Sequence, residues 1–256
     1  MTKYDVVIKS AEKDYFKLNL VVDSIQYLNP QPSKIYILSK DGYSPKGTDY
    51  ESIIQPVMDS DVVPFIDRSK LRHRPNWNWI NLVSLFQDFT EQDFYFDIQS
   101  DNFFLKEIDL FDPSGKPKIF RSTVNPLNVN GWEPYFNFSR SVFNLPKMSQ
   151  GFSYIIEFLM YNKNMCKKLW EEYSSFDEMM KTIYLNIDDN SYPADQEIFG
   201  NLVEKYFKDQ YIFVDNFPVH YTGTEGDLKL KNIVEYINLV KTQIPHIVSC
   251  AYHTWK

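Results

Sequence analysis

An acidic turn closes one apolar run of this sequence. Phe94-Tyr95-Phe96-Asp97-Ile98 leads into Gln99-Ser100-Asp101 and then into Asn102-Phe103-Phe104. A carboxylate at the end of a buried strand can hold Mg²⁺ or Mn²⁺, which take oxygen ligands and commonly bridge to a substrate diphosphate. On spacing alone, a capped turn with a solvated aspartate is an equal reading. Strand alternation sets Asp97 on the face of Gln99, one repeat further back. A second string, Pro193-Ala194-Asp195-Gln196-Glu197, opens a helix, where acids are favoured by the helix dipole. A third, Pro218-Val219-His220-Tyr221-Thr222-Gly223 with Lys229 beyond it, puts a histidine between a strand and a loop. A lone histidine is more often structural than a ligand. Arg72-His73-Arg74-Pro75-Asn76-Trp77-Asn78-Trp79 combines cations with indoles just before a helix. Arginine matches phosphate geometry, so Arg74 and Trp77 could wall a base or a diphosphate. Lys9 and Ser10 follow the first apolar run and could line the same pocket.

The elements that must position these residues alternate. Tyr4–Ile8 is a short β-branched run and reads as a strand. Lys13–Leu28 has a helical period that Asn29-Pro30-Gln31-Pro32 ends. Lys34–Ser39 is a second buried strand. Tyr50–Gln55 and Val62–Phe65 read as short strands. Trp79–Phe89 is a helix and Phe94–Ile98 the next strand. This β-α-β order predicts a mostly parallel sheet with helices on both faces. The second half is less regular: a strand at Ile119–Arg121, a loop over Asn125–Phe138, a long helix over Ser153–Tyr173, and a helix over Pro193–Phe207. A strand at Tyr211–Asp215, the segment Pro218–Tyr221 and a helix near Lys231–Val240 complete it. Parallel sheets bind ligands beyond the carboxyl ends of their strands, which is where Ser10 and Gln99–Asp101 fall.

The chain has 256 residues and a net charge of −7. Binding nucleic acid irrespective of sequence needs basic surface that neutralises phosphates, so an acidic chain disfavours nucleic acid as a tightly held partner while leaving room for the local basic cleft that a nucleotide-linked donor would need. Its two cysteines, Cys166 and Cys250, match no metal or redox spacing and read as free thiols. Met1-Thr2-Lys3-Tyr4-Asp5 shows no secretory leader. Every apolar run is broken well before the roughly 18 residues a membrane span needs. The expected setting is cytoplasmic (the host cytoplasm for a viral chain). Aromatics are numerous, with 20 Phe, 18 Tyr and 5 Trp. Most must fill the core; the rest could stack on sugars or bases, and Trp132, Tyr135 and Asn137 are candidates for sugar contact.

The stretch Phe94–Phe104 resembles the DxD strand of GT-A fold glycosyltransferases. Gln99 takes the first acidic position, and Asp101 matches the second, the more direct metal ligand of that family. Asp195-Gln196-Glu197 with Gly200-Asn201 resembles the Asp-Gln-Asp-hydrophobic-x-Asn segment of family 8 glycosyltransferases, the glycogenin and lipopolysaccharide galactosyltransferase type, which faces the donor sugar. His220 through Lys229 resembles that family's His-x-x-Gly…Lys segment, where the histidine is a further metal ligand and the lysine reaches the diphosphate. Lys229 is followed by Leu230 rather than Pro-Trp. The layout is also similar to a bacterial and viral glycosyltransferase-like family with a Trp-containing helix before the DxD strand.

The resemblance spans roughly residues 4–230 and implies a single GT-A (Rossmann-like) α/β domain. Its nucleotide-binding half would run over about 1–105 and its acceptor half over about 106–256. The implied activity moves a hexosyl or pentosyl group from a nucleotide-diphosphate sugar, UDP-linked, to a glycan or small-molecule hydroxyl. Asp195, Gln196 and Glu197 are the expected catalytic group. Lys9, Ser10, Arg74, Trp77, Gln99, Ser100 and Lys229 are expected on the donor. Asp101 and His220 are expected on Mn²⁺ or Mg²⁺. Two other classes compete: a phage-type enzyme glycosylating a modified DNA base, and a noncatalytic nucleotide-sugar-binding module that has lost the first Asp of the motif. A nucleotidyltransferase would need a Gly-rich loop after the first strand, and Ser10-Ala11-Glu12-Lys13 has none.

Overall fold

A computed structural model describes residues 2–123, 132–222 and 230–252. The central sheet has five strands: β1 (Tyr4–Lys9), β2 (Ile35–Ser39), β3 (Ile54–Met58), β4 (Phe94–Gln99) and, from the second half of the chain, Phe158–Asn162. Strands β1 to β4 run parallel, with β1 central between β2 and β4. Phe158–Asn162 closes the β4 edge antiparallel, and β3, which contains Pro56, forms the other edge. Proline removes a ladder donor and suits an edge strand.

Alternation along β1 sorts the core into two layers. Val7 packs with α2 (Pro75–Phe86) and with the helices Glu133–Phe143, Phe176–Leu185 and Asp195–Tyr206. Tyr4, Val6 and Ile8 face the other way, onto α1 (Leu18–Ser24) and the helix Leu230–Gln243. Helices thus cover both faces, as the strand–helix alternation predicts for parallel strands buried on two sides. A second sheet continues from the end of β4. Its strands are Asn102–Phe104, Ser249–Tyr252 and Val219–Thr222, with Ser249–Tyr252 in the middle.

Several expectations are corrected. Lys13–Leu28 is not one helix: only Leu18–Ser24 is α-helical, flanked by the 3-10 turns Glu12–Lys17 and Ile25–Tyr27. Val62–Phe65 forms no strand. The region read as a loop over Asn125–Phe138 contains a helix from Glu133, started by Pro134 in its first turn. The predicted helix over Ser153–Tyr173 is instead the antiparallel edge strand followed by the short helix Lys163–Cys166. All five residues of that strand are buried, so no period separates a buried strand from a buried helix. The open edge of β4 decides. Tyr161 pairs opposite Tyr95, and their rings stack 5.1 Å apart with planes 2° from parallel. Asn162 then caps the helix by accepting from the amides of Asn164 and Met165.

The helix Asp195–Tyr206 is tied to the sheet through Gly200. A Cβ there would meet the ring of Tyr154 at 2.2 Å, so the tyrosine lies flat against the helix backbone. Only glycine permits that approach without repacking.

Candidate active site

The carboxyl end of β1 delivers Lys9 to the α2 side of the sheet, and its ammonium is 4% exposed as a residue. Lys9 Nζ lies 2.9 Å from Asp97 Oδ2, on the neighbouring strand, and 3.5 Å from Asp195 Oδ2, in the first turn of its helix. Ser84 accepts from Lys9 and donates to Asp97 Oδ2 at 3.1 Å. Asn81 Oδ1 accepts the Asp195 amide at 3.0 Å. Helix α2 supplies both groups because Asn78, Asn81 and Ser84 form a buried polar stripe at helical spacing on an otherwise apolar helix. That stripe was the sequence signal for this cluster.

Two carboxylates and one ammonium are removed from water together here. Burial raises Asp97 to about 6, with Lys9 opposing and Asp195 adding to the shift. Its other oxygen, Oδ1, is buried and has no hydrogen-bond partner, so nothing stabilises negative charge on it. Burial alone would lower Lys9, but Asp97 and then Asp195 outweigh it, and the ammonium ends above its ordinary range. Burial also pushes Tyr161 well above the usual phenol value, with Asp195 and Asp97 adding to the rise.

A pH dependence follows. Asp97 titrates near 3.9 when unfolded and at about 6 when folded. Between those values the folded chain binds more protons, so this group's contribution to stability is complete at the acid end and falls as pH rises through about 6. Urea unfolding at several pH values across this window should show that decline in the wild type and a flatter profile in Asp97→Asn. Identical slopes in the two proteins would refute the assignment.

Beside this cluster a cleft of about 200 Å³ opens beyond β1 and β2. Lys9, Ser10, Ser39, Lys40, Arg68 and Trp79 are among its walls. Arg68 lies flat on Trp79, its guanidinium carbon 3.6 Å from the ring centre, and bonds Asp59 at 2.8 Å. Arg68 and Ser39 were not anticipated in this role, whereas Trp79 belongs to the cation–indole string expected to wall the pocket. The cation–indole wall was expected of Arg74 and Trp77, but those two do not line the cleft. Residues two apart on a helix point about 200° from each other, so Trp77 and Trp79 face opposite ways.

The other expected site residues are placed as follows. Gln99 pairs with Lys9 in the sheet, and Ser100 is buried just beyond it. Gln196 and Glu197 are buried beside Asp195 but reach a different segment. Gln196 accepts the Ile156 amide at 2.9 Å. Glu197 accepts from Ser153 Oγ at 2.8 Å, the Tyr154 amide at 3.0 Å, Lys147 Nζ at 2.9 Å and Asn201 Nδ2 at 3.2 Å. Asp101 sits in the turn after β4, its carbonyl accepting the Tyr252 amide at 2.8 Å. His220 pairs with Cys250, and its Nδ1 is 2.7 Å from the Tyr236 hydroxyl. The strand Ser249–Tyr252 therefore runs between Asp101 and His220. Among the described residues, no group of three His, Cys, Asp or Glu could hold a metal. Asp101 and His220 flank that strand as two oxygen and nitrogen donors of the kind that hold Mn²⁺ or Mg²⁺. Lys229 lies outside the described residues. No described helix is long and apolar enough to cross a membrane.

The solved structures similar to this one include glycosyltransferases. Galactosyltransferase LgtC, in complex with donor and acceptor sugar analogues, matches 98% of this chain and 87% of its own at 12% identity, with a TM-score of 0.47. The bifunctional glycosyltransferase WbbM matches all of this chain, which covers 46% of that one, at 13% identity and a TM-score of 0.47. No protein-family model matches the sequence, and comparison with curated proteins finds no match.

Proposed function

We propose that the chain is a glycosyltransferase that takes a nucleotide-diphosphate sugar, UDP-linked, and passes its sugar to an acceptor hydroxyl. One observation carries the reading. A cleft at the carboxyl ends of parallel strands carries cations on its wall, and Lys9 joins it directly to the carboxylate of Asp195. Sites of this kind bind nucleotides beyond the strand ends of open α/β sheets. The cleft residues Lys9 to Ile80 all fall within the first half of the chain, which supports a nucleotide-binding half there.

In this reading, Ser10 and Ser39 hydrogen-bond the nucleotide. Arg68 and Lys40 meet the diphosphate, whose charge grows as the sugar leaves; preset cations stabilise developing charge of this kind. Gln99 and Ser100, next to Lys9, offer hydrogen bonds to ribose or sugar hydroxyls. Asp195 is the carboxylate at the transferred sugar, as the family 8 resemblance implies. Gln196 and Glu197 support it by holding residues 153–156 against its helix. Asp101 and His220 have side chains suited to Mn²⁺ or Mg²⁺. They would hold such an ion, which would supply Lewis-acid charge at the leaving diphosphate beside Arg68 and Lys40.

Thermal shift with a panel of nucleotide sugars, each with and without Mn²⁺, tests this. A UDP-sugar should raise Tm, and Arg68→Ala should weaken its binding about tenfold, the loss of one charge-assisted contact. Slow hydrolysis of the same donor separates an enzyme from a binding module. If no nucleotide sugar is bound or hydrolysed, the proposal fails.

A further inference from the structure

Arg74 and Trp77, turned away from the donor cleft, enter a second cluster. The Arg74 guanidinium carbon lies 4.9 Å from the Trp77 ring centre and 5.8 Å from that of Tyr192. Tyr135 meets Tyr192 edge-on at 5.0 Å, and Trp132 meets Tyr135 at 6.1 Å. These four rings come from three separate stretches of chain, and each is half-exposed rather than sunk in the core. Arg74 is exposed and makes no salt bridge among the described residues. Its backbone is left-handed, with φ 50° and ψ 55°. Backbone of this kind is uncommon outside glycine and concentrates at binding sites.

The cluster borders the candidate active site. Trp77 lies one turn before Asn81 on α2, and Asn81 accepts the Asp195 amide. Tyr192 precedes Asp195 by three residues. The next stripe of α2, with Asn76 and Ile80, faces the donor cleft instead. Asp195 therefore sits between the donor cleft on one side and, on the other, half-exposed rings with an arginine that hydrogen-bonds Tyr135 and has no carboxylate partner among the described residues.

We propose that this cluster is the acceptor subsite and that it takes an anionic saccharide, one carrying a carboxylate or phosphate group. The inference rests on the glycosyltransferase reading above. Sugar rings present a face of C–H groups to aromatic rings, and Trp77, Tyr135 and Tyr192 supply such surfaces. Arg74 supplies a fork of donors matched to a carboxylate or a phosphate. His73 does not compete for the anion, because its Nδ1 is engaged by Asp189 at 2.6 Å.

The test is calorimetric titration and saturation-transfer NMR of the donor-free protein at low ionic strength. The probes are a uronate-containing oligosaccharide, a sugar phosphate and the neutral parent sugar of each. At least one anionic probe should bind tighter than its neutral parent. Arg74→Gln, at an exposed position, should weaken that probe about tenfold and abolish its advantage. Trp77→Ala should weaken both members of the pair. The uronate and phosphate arms separate the two sources of the anion. Equal binding of anionic and neutral probes, no binding of any probe, or an undiminished preference in Arg74→Gln would each overturn the proposal. UDP binding by the wild-type protein is measured in parallel; its absence counts against the donor cleft and leaves the glycan result to stand by itself.

Discussion

Lys9→Met is expected to lower folding stability by about 3–5 kcal/mol at neutral pH, the cost of leaving a buried charge without its partner. The substitution keeps the length and apolar body of the side chain, so packing changes little. It removes the only cation bonded to Asp97 and Asp195 among the described residues. Asp97 is 1% exposed and Asp195 4%, so water cannot replace the ammonium without opening the site. The alternative is protonation, and Asp97 is already poised for it at about 6. The deficit of the variant should therefore shrink on acidification through that value, as the carboxylates neutralise. Adding Asp97→Asn and Asp195→Asn should recover much of the loss, since an all-neutral cluster carries no uncompensated charge. Urea unfolding of the single and triple variants measures both effects. A single-variant loss below about 1 kcal/mol would mean the cluster is solvated in solution.

Glu197→Ala should be similarly severe, about 3–5 kcal/mol, for a different reason. Glu197 is fully buried and gathers donors from Lys147, Ser153, Tyr154 and Asn201. Truncation leaves the Ser153 hydroxyl and the Tyr154 amide without that acceptor and Lys147 without its counter-ion, while Asn201 keeps its bond to the Glu197 carbonyl. It also loosens the segment whose Tyr154 ring lies over Gly200. Glu197→Gln keeps the shape and one acceptor oxygen, and should cost about 1–3 kcal/mol. This pair of variants separates two roles for the residue. A support should lose activity in step with stability. A residue acting at the sugar should lose transfer in Glu197→Gln at temperatures where the variant remains fully folded. Tm and the transfer rate, measured on the same preparations, decide between them.

Much of the first half of the chain was readable because its signals are local. β1, β2 and β4 are short apolar runs, and α2 shows a helical period; their alternation forces a parallel sheet with two covered faces. The helix carrying Asp195 was equally plain, with Pro193 ahead of it and a period of apolar residues within it. By contrast, Phe158–Asn162 is apolar throughout, and nothing within it marks which sheet edge it would join. Glu133–Phe143 was hidden by the aromatic and Asn-rich stretch that leads into it.

The sequence by itself determined which residues have chemistry to offer: Lys9, Asp97, Asp195, Glu197 and the arginines and indoles between residues 72 and 79. It could not assign them to one another. Lys9 and Asp195 are 186 positions apart, and only the packing of α2 against the Asp195 helix brings them within 3.5 Å. The rotation of α2 then decides that Trp79 and Arg68 face the donor cleft while Trp77 and Arg74 turn to Tyr192. The pairing of Ser249–Tyr252 between its neighbours decides that Asp101 and His220 flank one strand from its two sides. Each outcome depends on contacts between segments distant in the chain, and no spacing along the chain encodes such contacts.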